Sequence, residues 1–426
     1  MEVSNVLMTL LERRRAGEIA GIPSICSSHP LVIEAALRRS RRTGAPVLIE
    51  ATCNQVNQEG GYTGMTPRGF VDQVGIIAEK VGVDTRDIIL GGDHLGPNPW
   101  RKLAAPVAMA KAEAMVAAFV TAGFSKIHLD PSMGCAGEPE GLDDAVTAQR
   151  TVRLARAAEA AARTSGLAPP LYVVGTEVPP PGGARHALDH VEPTSAERAR
   201  ATLAIFRGAF EAAGLAEAFA RVVALVVQPG VEFGHDAVAE YDPARAQFLS
   251  RALDGKNLIF EAHSTDYQSV ARLTELVRDR FCILKVGPAL TFALRETLYG
   301  LDFIASELVP DYPSRALAKA MENLMLAEPR WWAPYYPDDP ERQRIWRHYS
   351  YSDRIRYYWP YPEADAAVRR LLRALSGVAI PAPMARQFLP HLEFAKRSSS
   401  HDGETVLLAS IDEVLGQYAA ACAPGS

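Results

Sequence analysis

The stretch VVALVVQ, residues 222–228, sets the fold expected for this 426-residue chain. Six apolar residues, four of them valine, precede a single amide. A strand with one face in solvent alternates apolar and polar residues, whereas a strand of a parallel sheet is buried on both faces and is apolar throughout. The stretch therefore predicts a buried parallel strand that ends in a polar residue.

Seven other short runs have the same character. They are GIPSIC (21–26), PVLIEA (46–51), DIILGG (87–92), KIHLD (126–130), LYVVGTE (171–177), NLIFEA (257–262) and CILKV (282–286). Eight such strands with helical patterns between them predict an α/β fold, a closed (β/α)₈ or TIM barrel. A doubly wound open sheet is the alternative, but no G-x-G-x-x-G loop follows the first strand.

Residue types at the expected helix starts support this pattern. Thr66 followed by Pro67 is typical of a helix N-terminus, and Gly82 is typical of the end of that helix. Thr194 with Glu197 predicts a capping box at the start of a later helix.

The last third of the chain has a different pattern. No strand-like run of comparable strength follows residue 300, and helical patterns cover 316–328 and 364–377. We therefore expect a barrel over 1–300 and a helical extension over 301–426 that packs on it. The aromatic and arginine-rich segment 330–362 could bind an anion or stack on a sugar. Packing is the favoured interpretation, because aromatic residues more often serve packing.

Composition excludes several classes of protein. A net charge of −5 argues against a nucleic-acid partner, which requires a basic surface. No uninterrupted apolar stretch approaches the roughly 18 residues of a membrane span. The N-terminus lacks signal-peptide features and is expected to form a surface helix. Five widely spaced cysteines without a C-x-x-C motif favour a reduced, cytoplasmic protein.

The strands of a barrel end at one rim, where active sites lie. Nearly every predicted strand brings a polar side chain there. In chain order these are Glu50, Asn54, Asp93, His94, His128, Asp130, Ser132, Glu177, Gln228, Glu232, Glu261, His263 and Lys285. So many polar residues at one mouth predict a functional site.

The residue types at this rim indicate a metal. Two histidines on separate strands plus a carboxylate leave one coordination position open, and His94 and His263 are the best placed imidazoles. Other possible ligands are the carboxylates Glu177, Glu232 and Glu261 and the histidines His128 and His235. A metal held in this way polarises a carbonyl or hydroxyl oxygen, and Asp93 or Asp130 could then move a proton.

Several long blocks carry a family resemblance. GIPSICSSHP, GGDHLGPNPW, KIHLDPSMGCAG, QPGVEFG, FEAHSTDYQ and LKVGPALTFALRE stand in order along the chain. They resemble class II aldolases, and residues 5–420 are similar to the D-tagatose-1,6-bisphosphate aldolase subunit usually called non-catalytic. Some relatives resemble metal-dependent C4-epimerases of ketohexoses. Others have been described as kinases, which the lack of a G-x-x-x-x-G-K-[ST] motif disfavours here.

The resemblance implies roles for individual residues. Asp93 takes the place of the acid/base, and His94 and His263 take the places of two zinc ligands. A third zinc histidine is missing, and Glu232 is the nearest residue of a suitable type. Lys285 begins the segment that grips a ketose phosphate in class II aldolases, but Gly287 replaces its asparagine.

Together these observations predict an enzyme of ketohexose metabolism. An aldolase-like subunit is the first expectation; a free-standing C4-epimerase and a non-enzymatic partner of a catalytic aldolase subunit are the alternatives. Zinc is the expected metal, with manganese, nickel or cobalt as alternatives. A ketose or ketose phosphate is the expected ligand, and a homo-oligomer is expected. The assigned residues are His94, Glu232 and His263 for the metal, Asp93 and Glu177 for acid/base catalysis, and Asn54, Asp130, Ser132, Gln228 and Lys285 for substrate.

Overall fold

The computed structural model describes residues 3–175, 191–337, 339–392 and 402–423. Within them, parallel strands pair in chain order and the last pairs with the first, so that the barrel closes. The strands are β1 (Ile22–Cys26), β2 (Val47–Thr52), β3 (Ile88–Leu95), β4 (Lys126–Leu129), β5 (Leu171–Gly175), β6 (Val222–Val226), β7 (Ile259–Ala262) and β8 (Phe281–Val286). The predicted barrel is confirmed.

Helices surround the strands and form the C-terminal extension. They are α1 (Val3–Arg15), α2 (Pro30–Thr43), α3 (Pro67–Val81), α4 (Ala105–Ala122), α5 (Asp144–Ser165), α6 (Ala196–Ala212), α7 (Ala216–Phe219), α8 (Pro243–Ala246), α9 (Val270–Arg278), α10 (Pro288–Leu308), α11 (Ala316–Ala327), α12 (Pro340–Tyr349), α13 (Pro362–Ala374), α14 (Ala382–Phe388) and α15 (Gly403–Cys422). β5 and β6 are buried at every residue, which explains their continuous apolar character, and β8 is buried at every residue although it contains Lys285.

Local capping follows the sequence at one predicted helix start and departs from it at another. Thr66 Oγ1 accepts the N–H of Gly69 at 3.2 Å, as predicted for α3. The cap of α6 is Ser195, whose Oγ accepts the N–H of Arg198, so the capping box predicted on Thr194 is wrong by one residue. The Thr194 hydroxyl instead accepts the N–H of Gln228 at 3.0 Å and ties the loop after β6.

The N-terminal helix closes the bottom of the barrel. Leu7, Leu10 and Leu11 are buried in one cluster with interior residues near the N-terminal ends of the strands, among them Ile22 and Ile89. The opposite face, with Glu12, Arg13 and Arg15, is exposed, so the predicted surface helix has one buried face. The spacing of the three leucines places them on one face of α1, and burial of that face removes apolar surface from water.

The C-terminal extension packs on the barrel through two long helices. α10 follows β8 directly, and the predicted boundary at residue 300 falls inside it. α15 packs against α10, α9 and α2, and the N–H of Gly21 donates to the carbonyl of Cys422 at 2.9 Å. The division into a barrel and an extension stays a prediction.

One helix of the described residues, α4, is long and apolar enough to cross a membrane by length and composition. The sequence prediction passed over it because Lys111 and Glu113 interrupt the apolar run. One face of α4, including Met115 and Phe119, is buried in the core cluster of the protein.

Candidate metal and sugar site

The Asp93-His94 pair lies where β3 departs from regular strand geometry. Consecutive side chains of a strand point to opposite faces. Between Gly92 and Leu95 the pairing with β4 shifts by one residue, and His94 has a φ of +49°. Such an irregularity re-aims a side chain. Both Asp93 and His94 therefore face the mouth of the barrel.

Four buried side chains meet at this mouth. They are Asp93 and His94 of β3, His128 of β4 and His263 after β7, and their ligating atoms all lie within 4.8 Å of one another. His263 Nδ1 is 3.1 Å from His94 Nε2, and His128 Nδ1 is 3.1 Å from Asp93 Oδ1. Three imidazoles and one carboxylate form a donor set that suits zinc and similar divalent metals.

Carboxylates hold the outer nitrogens of two of these rings. His94 Nδ1 lies 2.7 Å from Asp130 Oδ2, and His263 Nε2 lies 3.0 Å from Glu261 Oε1. When each ring donates its outer N–H to that carboxylate, the two facing nitrogens both present a lone pair. A cation between them relieves the repulsion, and carboxylates behind ligating histidines are the usual support of metal sites. The residues present therefore fit a metal.

A layer of buried charges lies next to these histidines. Lys126 Nζ is 2.5 Å from Glu50 Oε1 and 2.6 Å from Glu261 Oε2. Lys285 Nζ contacts Glu50 and lies 2.6 Å from Asp93 Oδ1. Each of these side chains is at most 6% exposed. Charges so far from water persist only when they are paired, as these are.

Strand register explains how Glu50 and Lys126 meet across β3. Glu50 pairs with Gly91, and Gly91 pairs with Lys126, so the glycine lies between them. A Cβ atom at Gly91 would lie 2.6 Å from Glu50 Cγ and 2.7 Å from its carboxylate. The missing side chain therefore leaves the space through which the carboxylate reaches the lysine.

The charges set the protonation states of the layer. Burial alone would raise the pKa of Asp93, but His94 and Lys285 hold it well below its usual value. In the same way, burial alone would raise the pKa of Glu261, but Lys126 and Lys285 hold it well below its usual value. Burial lowers the pKa of Lys285, yet Asp93 and its other anionic neighbours keep that pKa well above the ordinary lysine value. Asp93 and Glu261 are thus ionised and Lys285 is protonated near neutral pH.

A small pocket of about 110 Å³ opens beside this cluster. Asp93, His94, His263, Lys285 and Asn54 line one part of it. The remaining wall includes residues that the C-terminal extension and the β2–α3 loop supply, namely Arg356, Tyr357 and Tyr62. The charged donor cluster and an arginine therefore line the same pocket.

Most residues predicted for the site are brought together. Asp93, His94 and His263 belong to the donor cluster, and Asn54 and Lys285 line the pocket. Asp130 and Ser132 stand behind His94: Ser132 Oγ donates to Asp130 Oδ1 at 2.5 Å, and the other oxygen of Asp130 faces the imidazole.

Three predicted residues lie elsewhere or cannot be placed. Gln228 Oε1 accepts the N–H groups of Gly230 and Val231, so it holds its own loop. Glu232 lies in a two-residue strand after β6; it is buried, but it is not one of the four members of the donor cluster. Glu177 lies outside the described residues.

Lys126 was not predicted from the sequence, and His128 was predicted only as a competing ligand. Lys126 begins its strand, where a lysine normally reaches solvent, and its partner becomes evident only from the register across Gly91. Arg356 falls in the segment for which packing was favoured. Neighbouring aromatic residues of that segment do pack, since Trp332 and Tyr358 are buried.

The sequence also matches a described family. A model of the family described as "D-tagatose-1,6-bisphosphate aldolase subunit GatZ/KbaZ-like" covers residues 7–423. The chain belongs to this family. The GatZ/KbaZ-like resemblance drawn from the sequence blocks is confirmed, and it includes the helical extension.

Individual relatives cover almost the whole chain. A protein of Agrobacterium fabrum described as D-tagatose 6-phosphate 4-epimerase is 56% identical over 421 residues, 99% of each chain. A crystal structure described as a probable tagatose 6 phosphate kinase from Sinorhizobium meliloti is 55% identical, with a TM-score of 0.86, and the match covers 94% of this chain and all of that one.

A more distant structure shows the same fold. The fructuronate-tagaturonate epimerase of Cohnella laeviribosi has 11% identity and a TM-score of 0.52, over 94% of this chain and 81% of that one. At this identity the likeness concerns the fold alone.

Proposed function

We propose that this protein is a metal-dependent C4-epimerase that interconverts D-tagatose 6-phosphate and D-fructose 6-phosphate. The full-length identity of 56% to a protein described as D-tagatose 6-phosphate 4-epimerase carries the proposal. The buried cluster of Asp93, His94, His128 and His263 supports it, because this chain keeps a donor set able to hold a metal. The epimerase, the second of the sequence expectations, is therefore preferred over the aldolase subunit.

His94 and His263 would hold the metal, with His128 of the same cluster as a third donor and Glu232 as the ligand predicted from the sequence. Zinc is the first candidate, and manganese, nickel or cobalt are the alternatives. A metal bound there polarises the oxygens of the ketose and stabilises negative charge that develops on them.

The reaction needs one reversible proton transfer beside a bond that breaks and re-forms. Asp93 is ionised, and Lys285 Nζ, 2.6 Å away, balances its charge. Asp93 takes the proton of the C4 hydroxyl as the C3–C4 bond breaks, and the electron pair of that bond passes to the C1–C3 fragment. After the aldehyde fragment rotates, the pair re-forms the bond on the other face, and Asp93 returns the proton.

Other predicted residues fit around this step. Asn54 lines the pocket and would bind a substrate hydroxyl. Asp130 and Glu261 orient the metal-binding rings through their outer nitrogens. Glu177 is kept as a second acid/base candidate. A cytoplasmic location and a homo-oligomer stay predictions; all five cysteines are free thiols in the structure.

Purified protein incubated alone with D-tagatose 6-phosphate tests the proposal. We expect D-fructose 6-phosphate to form, and its formation to stop after the metal is removed with a chelator. The product is detected by a coupled enzyme assay that oxidises the hexose phosphate and produces NADPH. D-tagatose 1,6-bisphosphate and ATP with tagatose 6-phosphate are the parallel incubations. Release of triose phosphates from the first would favour an aldolase, and consumption of ATP in the second would favour a kinase. If none of the three incubations gives a product, the remaining alternative is a non-enzymatic partner of a catalytic aldolase subunit.

A further inference from the structure

We propose that Arg356, which the C-terminal extension supplies, binds the phosphate of the substrate and makes the enzyme prefer phosphorylated ketoses over free ones. This inference rests on the proposed function, which it deepens by naming the group that recognises the anion. Arg356 lines the pocket that also contains Asp93, His94 and His263. The barrel thus supplies the reacting groups, and the extension supplies the anion-binding group.

The charge of Arg356 is not balanced by a carboxylate contact. Arg356 and Lys285 are the arginine and lysine among the described residues that line the pocket. Lys285 lies within ion-pair distance of Glu50, Asp93 and Glu261. Arg356 forms no ion pair with a carboxylate of the described residues; its guanidinium donates to the carbonyls of 352 and 353 and to a phenol. Among the described lining residues, Arg356 is therefore the cation without a carboxylate contact, although the buried carboxylates of Asp353 and Asp266 act on it at longer range.

Its neighbours fix the guanidinium in place before any ligand arrives. One terminal nitrogen donates to the carbonyl of Asp353 at 3.1 Å, and the other donates to the hydroxyl of Tyr357 at 3.2 Å. The ring of Tyr357 stacks on Trp331, with centroids 5.4 Å apart and planes 9° apart, and meets Tyr62 edge-on. A fixed arginine loses little freedom when it forms charge-assisted hydrogen bonds to phosphate.

The usual alternative for phosphate, the N-terminus of a helix, is already occupied here. α10 starts at the pocket wall, but Asp266 Oδ1 accepts the N–H groups of Gly287 at 3.0 Å and Ala289 at 2.8 Å. A phosphate would have to displace this carboxylate. No carboxylate of the described residues forms an ion pair with Arg356, which also borders the neighbouring cavity of about 710 Å³, and that cavity offers room for a bulky terminal group.

The shared pocket is compatible with a ketose 6-phosphate. Its phosphate is at one end of the carbon chain, two carbons from C4. Asp93 and Arg356 line the same small pocket, so we infer that a ketose 6-phosphate with C4 beside Asp93 presents its phosphate to Arg356. A free ketose has no anionic group for this guanidinium, so the charge-assisted part of the binding energy from Arg356 would be realised with the phosphate ester alone.

Two measurements on the whole protein test the inference. The first compares kcat/KM for D-tagatose 6-phosphate and for free D-tagatose in the wild type, Arg356→Ala and Arg356→Lys. The second measures binding of inorganic phosphate to metal-free protein by calorimetry. Arg369→Ala is the matched control, because Arg369 lines the larger cavity only and pairs with Asp365.

We expect Arg356→Ala to lower kcat/KM for the phosphate ester about 100-fold, equivalent to ~2.7 kcal/mol. Turnover of free tagatose should change by less than about threefold, and phosphate binding should be lost. For Arg356→Lys, kcat/KM for the phosphate ester and the affinity for phosphate should lie between those of Arg356→Ala and the wild type. Lysine keeps the positive charge but cannot form two parallel hydrogen bonds. Arg369→Ala should behave as the wild type.

Equal losses on both substrates in a folded Arg356→Ala protein, or phosphate binding as strong as in the wild type, would overturn the inference. If that variant misfolds by circular dichroism, Arg356→Lys decides, and wild-type phosphate binding in it would likewise overturn the inference. Failure of the proposed function has a different signature: the wild type then binds phosphate through Arg356 but epimerises neither sugar.

Discussion

The Nδ1 atom of His263 lies 3.1 Å from the Nε2 atom of His94, although 169 positions separate the two residues in the chain. Each ring is held from behind by a different carboxylate, Asp130 or Glu261. Two neutral imidazoles oriented in this way repel each other through their lone pairs, and a bound cation converts that repulsion into attraction. This relationship makes the metal the first property to test.

Replacing either histidine should remove the metal. We expect His94→Ala and His263→Ala to contain less than about a tenth of the metal of the wild type after dialysis, because a site that loses one ligand of three binds weakly. Metal content is measured by elemental mass spectrometry. His235→Gln is the control, since His235 is hydrogen-bonded to Ser352 and is not a member of the donor cluster. Unchanged metal content in both alanine variants would refute the assignment.

The third ligand separates the structural interpretation from the sequence prediction. If His128 completes the site, His128→Ala loses metal while Glu232→Gln keeps it. The sequence prediction requires the reverse. We expect the first result, because His128 belongs to the donor cluster and Glu232 does not. Metal loss in Glu232→Gln alone would restore the ligand set of His94, Glu232 and His263.

How much the sequence could predict follows from what each feature depends on. Burial on both faces is a property of a single strand, so β6 could be recognised from residues 222–228 alone. Convergence of polar residues follows once the strands form a barrel, which is why Asp93, His94 and His263 could be grouped. The leucine spacing in α1 also indicates a buried face, which the prediction of a surface helix did not specify.

The remaining features depend on register and tertiary packing. Glu50 and Lys126 meet because Gly91 lies between them, a relation that exists only after three strands are aligned. The left-handed backbone of His94 is invisible in its residue type. Arg356 reaches the pocket from a distant segment whose position is set by packing of the extension. None of these relations is periodic in the sequence.

Asp93→Asn should separate proton transfer from metal binding. We expect kcat for the epimerisation to fall about 10³-fold, since general acid–base groups contribute about 10²–10⁴. Metal content should stay within about twofold of the wild type if Asp93 moves the proton. Loss of metal together with activity would instead show that the carboxylate is a ligand. Ser132→Ala is the comparison, because Ser132 contacts Asp130 and not Asp93.

Gly91→Ala should break the buried charge layer. The new Cβ would overlap the carboxylate of Glu50, which two lysines hold in place. We expect a loss of about 2–4 kcal/mol in the free energy of unfolding, measured in urea, because overpacking and disrupted buried ion pairs both destabilise. Gly75→Ala is the control: a Cβ there meets nothing within 4 Å, and alanine favours the helix. Equal stability of the two variants would show that Glu50 can move aside.

Asp266 should make stability fall as pH rises. Burial raises its pKa to about 6 from 3.8, although the N–H groups of Ala289 and Gly287 oppose the shift. Because the folded-state pKa exceeds the unfolded one, the contribution is complete below about pH 4 and is lost as pH rises through 6. The side chain of Asp266→Asn cannot ionise. The free energy of unfolding of this variant, taken relative to that of the wild type, should therefore be about 2 kcal/mol higher at pH 7.5 than at pH 4. Asp402→Asn, at the exposed N-cap of α15, should gain less than about 0.5 kcal/mol. A gain for Asp266→Asn that does not change with pH would mean that this carboxyl keeps its ordinary pKa in the folded protein.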